Sequence, residues 1–198
     1  MSGAHGHGHG HSEEHGHDTP RNRRIALLIA VLALVLAFSE TLGKSAQTAG
    51  LSHNIEASNL WSFFQAKTIR MTTLRTAGEL LEAELAGMTS APAREAIEKR
   101  IEAWKKTAAR YDSEPETQEG RKELAARAKA AEESRDRALA AHHTFELASA
   151  AVQIAIVLAS AAIITGMMSL AWIAAALGVA GALLTGIGAF APTLLSFH

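Results

Sequence analysis

From residue 147 to residue 198 the chain contains no Asp, Glu, Lys or Arg. Two apolar runs fill most of this stretch, 147–165 and 170–191, and each approaches or exceeds the roughly 20 residues that a helix needs to cross a bilayer core. A soluble hairpin of this composition would need a shell of other protein, and the polar segment before it is too small to supply one. We therefore predict a transmembrane helical hairpin over residues 145–198.

A third apolar run lies near the start of the chain. Residues 25–42 follow Arg21, Arg23 and Arg24, and as a helix they would extend about 27 Å. A cleaved signal peptide also combines basic residues with a short apolar core, but a long polar segment precedes these arginines, so we expect a permanent span over residues 21–42. Three spans place the termini on opposite sides of the membrane, and the arginines favour a cytoplasmic N-terminus.

Charged residues are concentrated between the first and second spans. Residues 43–144 hold 16 Lys and Arg against 15 Asp and Glu, and show no run with the period of two that marks a strand. Apolar positions instead recur at alternating steps of four and three, the heptad pattern of helices that pack on one another. The first such seam runs through Leu60, Phe64, Lys67, Met71, Leu74, Gly78, Leu81 and Leu85. The predicted fold is all-α: three transmembrane helices, with a soluble, antiparallel, coiled-coil-like domain between the first and second.

Helix ends within this domain can also be assigned. The first helix should cover about 54–86, and a shorter second helix should follow Ser90. Ser113 and Glu116 match a capping box, which predicts that the third helix begins at residue 114. No Gly or Pro interrupts residues 121–165, so this helix should continue into the second span. The first and third helices, both about 50 Å long outside the membrane, would form an antiparallel pair, with the short helix across its tip or beside it.

The segment SNLWSFFQAKTIR, residues 58–70, holds three of the ten aromatic residues of the chain within four positions. We interpret it as a membrane-proximal clamp between the first and third helices, with a partner or second-subunit surface as the alternative. Its candidate interaction residues are Trp61, Phe64, Gln65 and Lys67. Counting back along an antiparallel pair predicts approximate partners. These are Ala140 for Trp61, Arg137 for Phe64, and Glu133 or Ser134 for Lys67, with Asp136 within reach of the lysine.

Small residues recur every four positions in the last span, at Ala174, Gly178, Ala182 and Gly186. On a helix, small residues at this spacing let a neighbouring backbone approach closely in lipid. The stripe would serve either the packing of the two C-terminal spans on each other or a homo-oligomer interface, and we expect Gly178, Ala182 and Gly186 to take part.

The first 20 residues are mostly Gly and His, and we expect a disordered tail. Six of the ten histidines lie here: His5, His7, His9, His11, His15 and His17. Neutral imidazole is a ligand for Zn²⁺, Ni²⁺ and Cu²⁺. We therefore predict weak binding of these ions by the six histidines, and no other cofactor.

The order of these features resembles a known family. An early span, the stretch WSFFQAK at residues 61–67 and a C-terminal pair of spans are similar to the bacterial membrane proteins grouped as "domain of unknown function 4337". The resemblance covers residue 21 to the C-terminus and maps Trp61, Gln65, Ala66 and Lys67 onto the family motif, while Phe64 stands where the family often has Tyr. It implies a bacterial inner-membrane location and assigns no activity.

Several function classes have little support in this sequence. Absence of cysteine excludes disulfides, thiolate metal sites and a Cys nucleophile. A net charge of −1 gives no reason to expect nucleic acid as a partner. No GxGxxG, P-loop, HExxH or GxSxG motif is present.

We expect a non-enzymatic, membrane-anchored scaffold or interaction protein that sits in the lipid bilayer as a homo-oligomer. The alternative is a metal-linked channel or carrier that collects divalent cations on the histidine-rich tail. Against the alternative, the predicted spans lack the inward carboxylates or histidines that cation routes use.

Overall fold

A computed structural model describes residues 20–195, and within that range the chain forms helices and turns with no β-strand. The helices are α1 (Pro20–Leu85), α2 (Ala91–Asp112), α3 (Arg121–Thr165) and α4 (Met168–Phe190), followed by a short 3₁₀ turn (Pro192–Leu195). The all-α prediction is therefore confirmed for this part of the chain. Residues 1–19 of the predicted tail, which include its six histidines, lie outside the described residues.

The first span and the first polar helix are one continuous helix. The predicted span ends at residue 42 and the predicted polar helix begins at about residue 54. In the structure, α1 runs through both without a break for 66 residues, which is about 99 Å at 1.5 Å per residue. Gly43 and Gly50 weaken a helix in isolation. Here both are buried against α3. A Cβ added at Gly43 would lie 3.3 Å from Phe145 Cβ, and one added at Gly50 would lie 3.0 Å from Leu139 Cδ2. Close packing against α3 therefore supports the helix between the two segments that were predicted separately.

Within residues 20–195, three helices are long and apolar enough to cross a membrane, by way of the N-terminal part of α1, the C-terminal part of α3, and α4. Their shared core is rich in alanine, and its buried members are Ile25, Leu32, Val152, Ala155, Ala159, Ala162, Ala171 and Ala174. Gly166 adopts φ +73°, the left-handed conformation that commonly ends a helix, and so turns the chain from α3 into α4. Many of the other large apolar side chains, such as Leu34 and Val157, are exposed on the outside of these helices.

Both α2 and α3 run antiparallel to α1, one after the other. Lys105 of α2 pairs with Glu82 near the end of α1. Contacts with α3 then follow in falling order along α1 and rising order along α3: Thr68 with Arg121, Trp61 with Glu132, Gly50 with Leu139, and Gly43 with Phe145. The 22 residues of α2 and the 45 of α3 together match the length of α1. The short helix therefore lies beside the end of α1.

The third helix begins at Arg121, so its predicted start at residue 114 is wrong. Ser113 instead ends α2, donating its backbone N–H to Ala109 O. The Ser113 hydroxyl donates to Glu123 Oε1 at 2.6 Å, and the Glu114 N–H donates to Glu123 Oε2 at 3.1 Å. The Ser113 N–H that a capping box would direct to Glu116 is therefore bonded to Ala109 O instead, and the Ser113 hydroxyl bonds to Glu123 rather than to the Glu116 N–H. Residues 113–120 form a turn between α2 and α3. The unbroken helix predicted over 121–165 is confirmed.

Candidate interaction site at the helix joint

The aromatic segment lies where α2 ends and α3 begins. We call this site the joint and define it by seven residues: Trp61, Phe64, Lys67, Tyr111, Asp112, Glu119 and Arg121. Along α1, Trp61 is about 29 Å beyond residue 42, where the first apolar run ends. The segment contacts α2 and α3 from α1, and its position next to a membrane stays a prediction.

The two aromatic rings that face α3 form the apolar part of the joint. Trp61 and Phe64 make an edge-to-face pair with ring centroids 5.4 Å apart and planes at 82°. They pack against a buried cluster made of Ala57, Leu60, Leu124, Ala128 and Ala131. The Trp61 Nε1–H donates to Glu132 Oε1 at 2.8 Å, which satisfies the indole donor. Bulky rings on α1 thus fill the space that small residues leave on α3.

Arg121, the first residue of α3, links all three helices. Its guanidinium lies 5.0 Å from the Phe64 ring centroid, and its Nε–H donates to Thr68 Oγ1 at 2.9 Å. Its Nη1 is 3.3 Å from Asp112 Oδ1 at the end of α2. A hydrogen bond from Lys122, at 3.0 Å, is the main reason that the pKa of Asp112 lies below its ordinary range; nearby positive charges add to it. A planar, permanently charged group suits this combination of stacking and hydrogen bonding.

Lys67 is buried, with 6% of its surface exposed. Its Nζ lies 5.3 Å from the Phe63 ring centroid and 5.2 Å from that of Tyr111, so an aromatic ring from α1 and one from α2 flank the charge. Glu119 Oε2 is 3.7 Å away, and the Glu119 side chain is 51% exposed. Solvent therefore screens the ion pair, whereas both rings lie close to the buried ammonium group.

The predicted register along α3 is wrong at all three predicted contacts. The predicted partners are Ala140 for Trp61, Arg137 for Phe64, and Glu133 or Ser134 for Lys67, with Asp136 in reach. The observed partners are, in the same order, Glu132, Arg121 and Glu119. All three lie earlier in the chain because α2 covers the end of α1, so that α3 meets α1 only from the joint onward.

Other predicted interaction residues lie away from the joint. Gln65 is exposed on a different face of α1. In α4, Gly178 is buried, and an added Cβ would clash with Leu32 of α1. Ala182 is exposed, and nothing lies within 4 Å of a Cβ added at Gly186. The predicted four-residue stripe therefore does not share one face, because a step of four turns a helix about 40° beyond a full turn.

The face of α4 that packs inside the chain alternates steps of three and four instead: Ala171, Ala174, Gly178 and Gly181, with Gly188 two further steps along. A Cβ at Gly181 would lie 2.5 Å from Val152 Cγ2, and one at Gly188 would lie 3.0 Å from the Phe145 ring. This spacing keeps small residues on the side of α4 that faces α1 and α3. Gly181 and Gly188 are absent from the prediction because they do not fall on the four-residue step.

Polar side chains mark the end of the apolar bundle. The Ser39 hydroxyl is fully buried and bonds to Thr185 Oγ1 at 2.7 Å, joining α1 to α4. Gln153 Nε2 donates to Glu40 Oε1 at 3.4 Å, and His142 Nδ1 is 3.1 Å from Gly43 O. Among the described residues no group of three or more His, Cys, Asp and Glu side chains is arranged to hold a metal ion.

A family model described as "Domain of unknown function (DUF4337)" matches residues 21–191. The chain belongs to this family. The match begins at the arginines before the first apolar run and ends just after α4, so it includes all four helices and the joint. No curated protein and no solved structure matches the chain.

Proposed function

We propose that this DUF4337 protein is a non-enzymatic, membrane-anchored scaffold. Its three apolar helices would sit in the bacterial inner membrane with the N-terminus in the cytoplasm. Residues 43–144, which we call the rod, would form a soluble antiparallel helical domain on the other side. The observation that carries this proposal is the continuity of α1 and α3, because both pass from apolar to charged sequence without a break.

Continuity gives the rod a fixed relation to its anchor. The part of α1 in the rod, residues 43–85, would reach about 65 Å from the membrane surface at 1.5 Å per residue. Its outer end is braced by α2, and its lower part by α3. At the joint, Arg121 and Lys67 each contact more than one helix. Such a rod suits a protein that holds binding surfaces at a set distance from the bilayer.

Packing inside the anchor supports a scaffold over the channel or carrier alternative. Ala148, Ala155, Ala159 and Ala174 are completely buried where the helices meet. The Ser39 hydroxyl in that interior bonds to Thr185 and to Val35 O. Alanine contacts at this depth bring the helix axes close together, as expected of a packed anchor in which a single protomer leaves little room for an ion path.

The size of the assembly in mild detergent, measured by light scattering, separates the two functions. A scaffold that associates through its helices should exceed the 21.0 kDa protomer and keep one size with or without Zn²⁺. Deleting residues 1–18 should leave that size unchanged. If Zn²⁺ or the deletion changes the assembly, the metal-linked alternative is favoured. A protomer that stays single under every condition would contradict self-association.

Resistance to alkaline carbonate tests the anchor separately. The full-length chain should stay in the membrane pellet, because three apolar helices hold it in the bilayer. Release of intact protein into the supernatant would refute the membrane-anchored model. A peripheral membrane protein provides the control for effective extraction.

A further inference from the structure

The face of α1 that points away from α3 carries a second heptad pattern. The pattern consists of the positions reached from Leu27 to Thr76 in alternating steps of three and four residues. Lys44 is its one charged residue. Every position in this count is exposed. We call this set the outer seam. Apart from Lys44, the charged residues of α1 between residues 43 and 76, such as Glu56 and Arg70, all lie off the outer seam.

The buried face of α1 has the same period. Its buried residues, from Ile25 and Leu32 to Lys67, Met71 and Gly78, occupy two positions of one seven-residue repeat. In an ideal straight helix, positions seven residues apart would drift about 20° around the axis per heptad. Because the buried residues stay on the repeat, α1 must wind slightly around its partners to keep contact with them. The outer seam keeps the same repeat on the opposite side. Its uncharged positions therefore form a continuous stripe with the geometry of a second coiled-coil interface.

Lipid can cover only the first part of this stripe. Beyond residue 42 the outer seam leaves the apolar run, yet Leu51, Ile55 and Ile69 remain 61%, 52% and 66% exposed. Around Ile69 the surface forms a shallow groove lined mainly by threonine side chains, with Leu80 among the lining residues. Apolar and β-branched residues repeated along an exposed helix indicate a surface that another protein covers.

We propose that the outer seam of one copy of this chain binds the outer seam of a second copy, parallel and in register. This deepens, and rests on, the self-association in the proposed function. Two copies anchored in one membrane with the same orientation are related by an axis normal to the membrane, so their α1 helices must run in the same direction. Each seam residue then faces the same residue of the second copy, and from Thr48 to Thr76 every such pair is uncharged.

Charge and area both suit this occupant. In a parallel pair the residues flanking the seam also meet across the interface. Those on one flank, Ser52, Asn59, Ala66, Thr73 and Leu80, are uncharged, so they bring no like charges together. A stripe about 75 Å long and about 10 Å wide has an area of roughly 750 Å², close to the ~800 Å² per partner of a stable interface. Lys44 forms the one like-charged seam pair, next to the end of the first apolar run.

Cysteine cross-linking in membranes tests the parallel register, and the chain contributes no cysteine of its own. Ser58→Cys, Ser62→Cys and Thr72→Cys should each form disulfide-linked dimers on mild oxidation. Ala126→Cys, an exposed position on α3, is the matched control and should not. In an antiparallel pair, equivalent residues of the two copies would meet at only one point along the seam, so at most one of these three variants would form disulfide-linked dimers. That result, or equal linking at Ala126, would overturn the proposal.

A charge placed in the seam tests its energetic role. Ile69→Arg brings like charges together across the interface, and we expect the dimer dissociation constant to rise roughly a hundredfold. Ala126→Arg adds the same charge on α3 and should leave the dimer intact, while circular dichroism checks that both variants stay helical. If Ile69→Arg still dimerises, the seam is wrong but self-association stands. If the unmodified chain is monomeric, the proposed function fails as well.

Discussion

Substitutions at Lys67 test which interaction holds the joint together. Its side chain is almost fully buried, while the nearest carboxylate, on Glu119, is half exposed and 3.7 Å away. The rings of Phe63 and Tyr111 lie within 5.3 Å of the charge. Three variants separate these contributions: Glu119→Gln removes the partner charge, Lys67→Met keeps the apolar stem, and Lys67→Ala removes both the stem and the charge.

The expected losses of unfolding free energy differ clearly. Glu119→Gln breaks a solvent-screened pair and should cost at most about 1 kcal/mol. Lys67→Ala removes three buried methylenes, worth about 0.8 kcal/mol each, and two ring contacts, each worth about 0.5–1 kcal/mol. Removing the charge also removes the cost of burying it, so we expect a net loss of about 2–3 kcal/mol. Lys67→Met keeps the packing and should change stability by less than about 1 kcal/mol.

Thermal unfolding in mild detergent, followed by circular dichroism, would measure these differences. For a chain of this size 1 kcal/mol shifts Tm by about 2–4 °C. Lys67→Ala should therefore lower Tm by about 5–10 °C, with Lys67→Met and Glu119→Gln within about 4 °C of the unmodified chain. If Glu119→Gln is as damaging as Lys67→Ala, the ion pair holds the joint and the argument from the rings is refuted.

Two further predictions concern packing and pH. Gly181→Ala should lower Tm because its Cβ would lie 2.5 Å from Val152 Cγ2, whereas Gly186→Ala, with open space around its Cβ, should not; equal effects would contradict the packing of α4 on α3. The Ser113 hydroxyl holds the pKa of Glu123 below its ordinary value of 4.5, so this contribution to stability is present above that pH and is lost as the pH falls through the lowered pKa. Glu123→Gln should flatten the acid-side fall in Tm, and an unchanged pH profile would refute the role of this contact.

Local patterns in the sequence were enough to predict that the chain is helical and where most of each helix lies. An uncharged run of residues identifies each apolar helix, and the absence of Gly and Pro over 121–165 predicted that α3 is continuous. Ser90 also precedes α2 as expected. These features depend on neighbouring residues, so a sequence window contains the physical information that determines them.

Contacts between distant residues could not be predicted in the same way. Ser113 and Glu116 satisfy the local rule for a helix start, but Ala109 O accepts the Ser113 N–H as α2 ends, and Glu123, which lies beyond that window, bonds the Ser113 hydroxyl. The partners of Trp61 and Phe64 depend on where α2 lies, and nothing in the seam of α1 distinguishes α2 from α3 as its partner. Arg121 directly follows Gly120 at the start of the uninterrupted stretch, which was the available signal for the true start of α3.

The continuity of α1 from anchor to rod is the central claim, and a distance along α1 tests it most directly. Spin labels at Gln47→Cys and Glu84→Cys, two exposed positions off the outer seam, can be measured by pulsed electron paramagnetic resonance in protein diluted with unlabelled chain. One unbroken helix predicts a single narrow distribution near 56 Å, at about 1.5 Å per residue. A broad distribution, or one centred well below that distance, would contradict the continuous helix and with it the rigid scaffold.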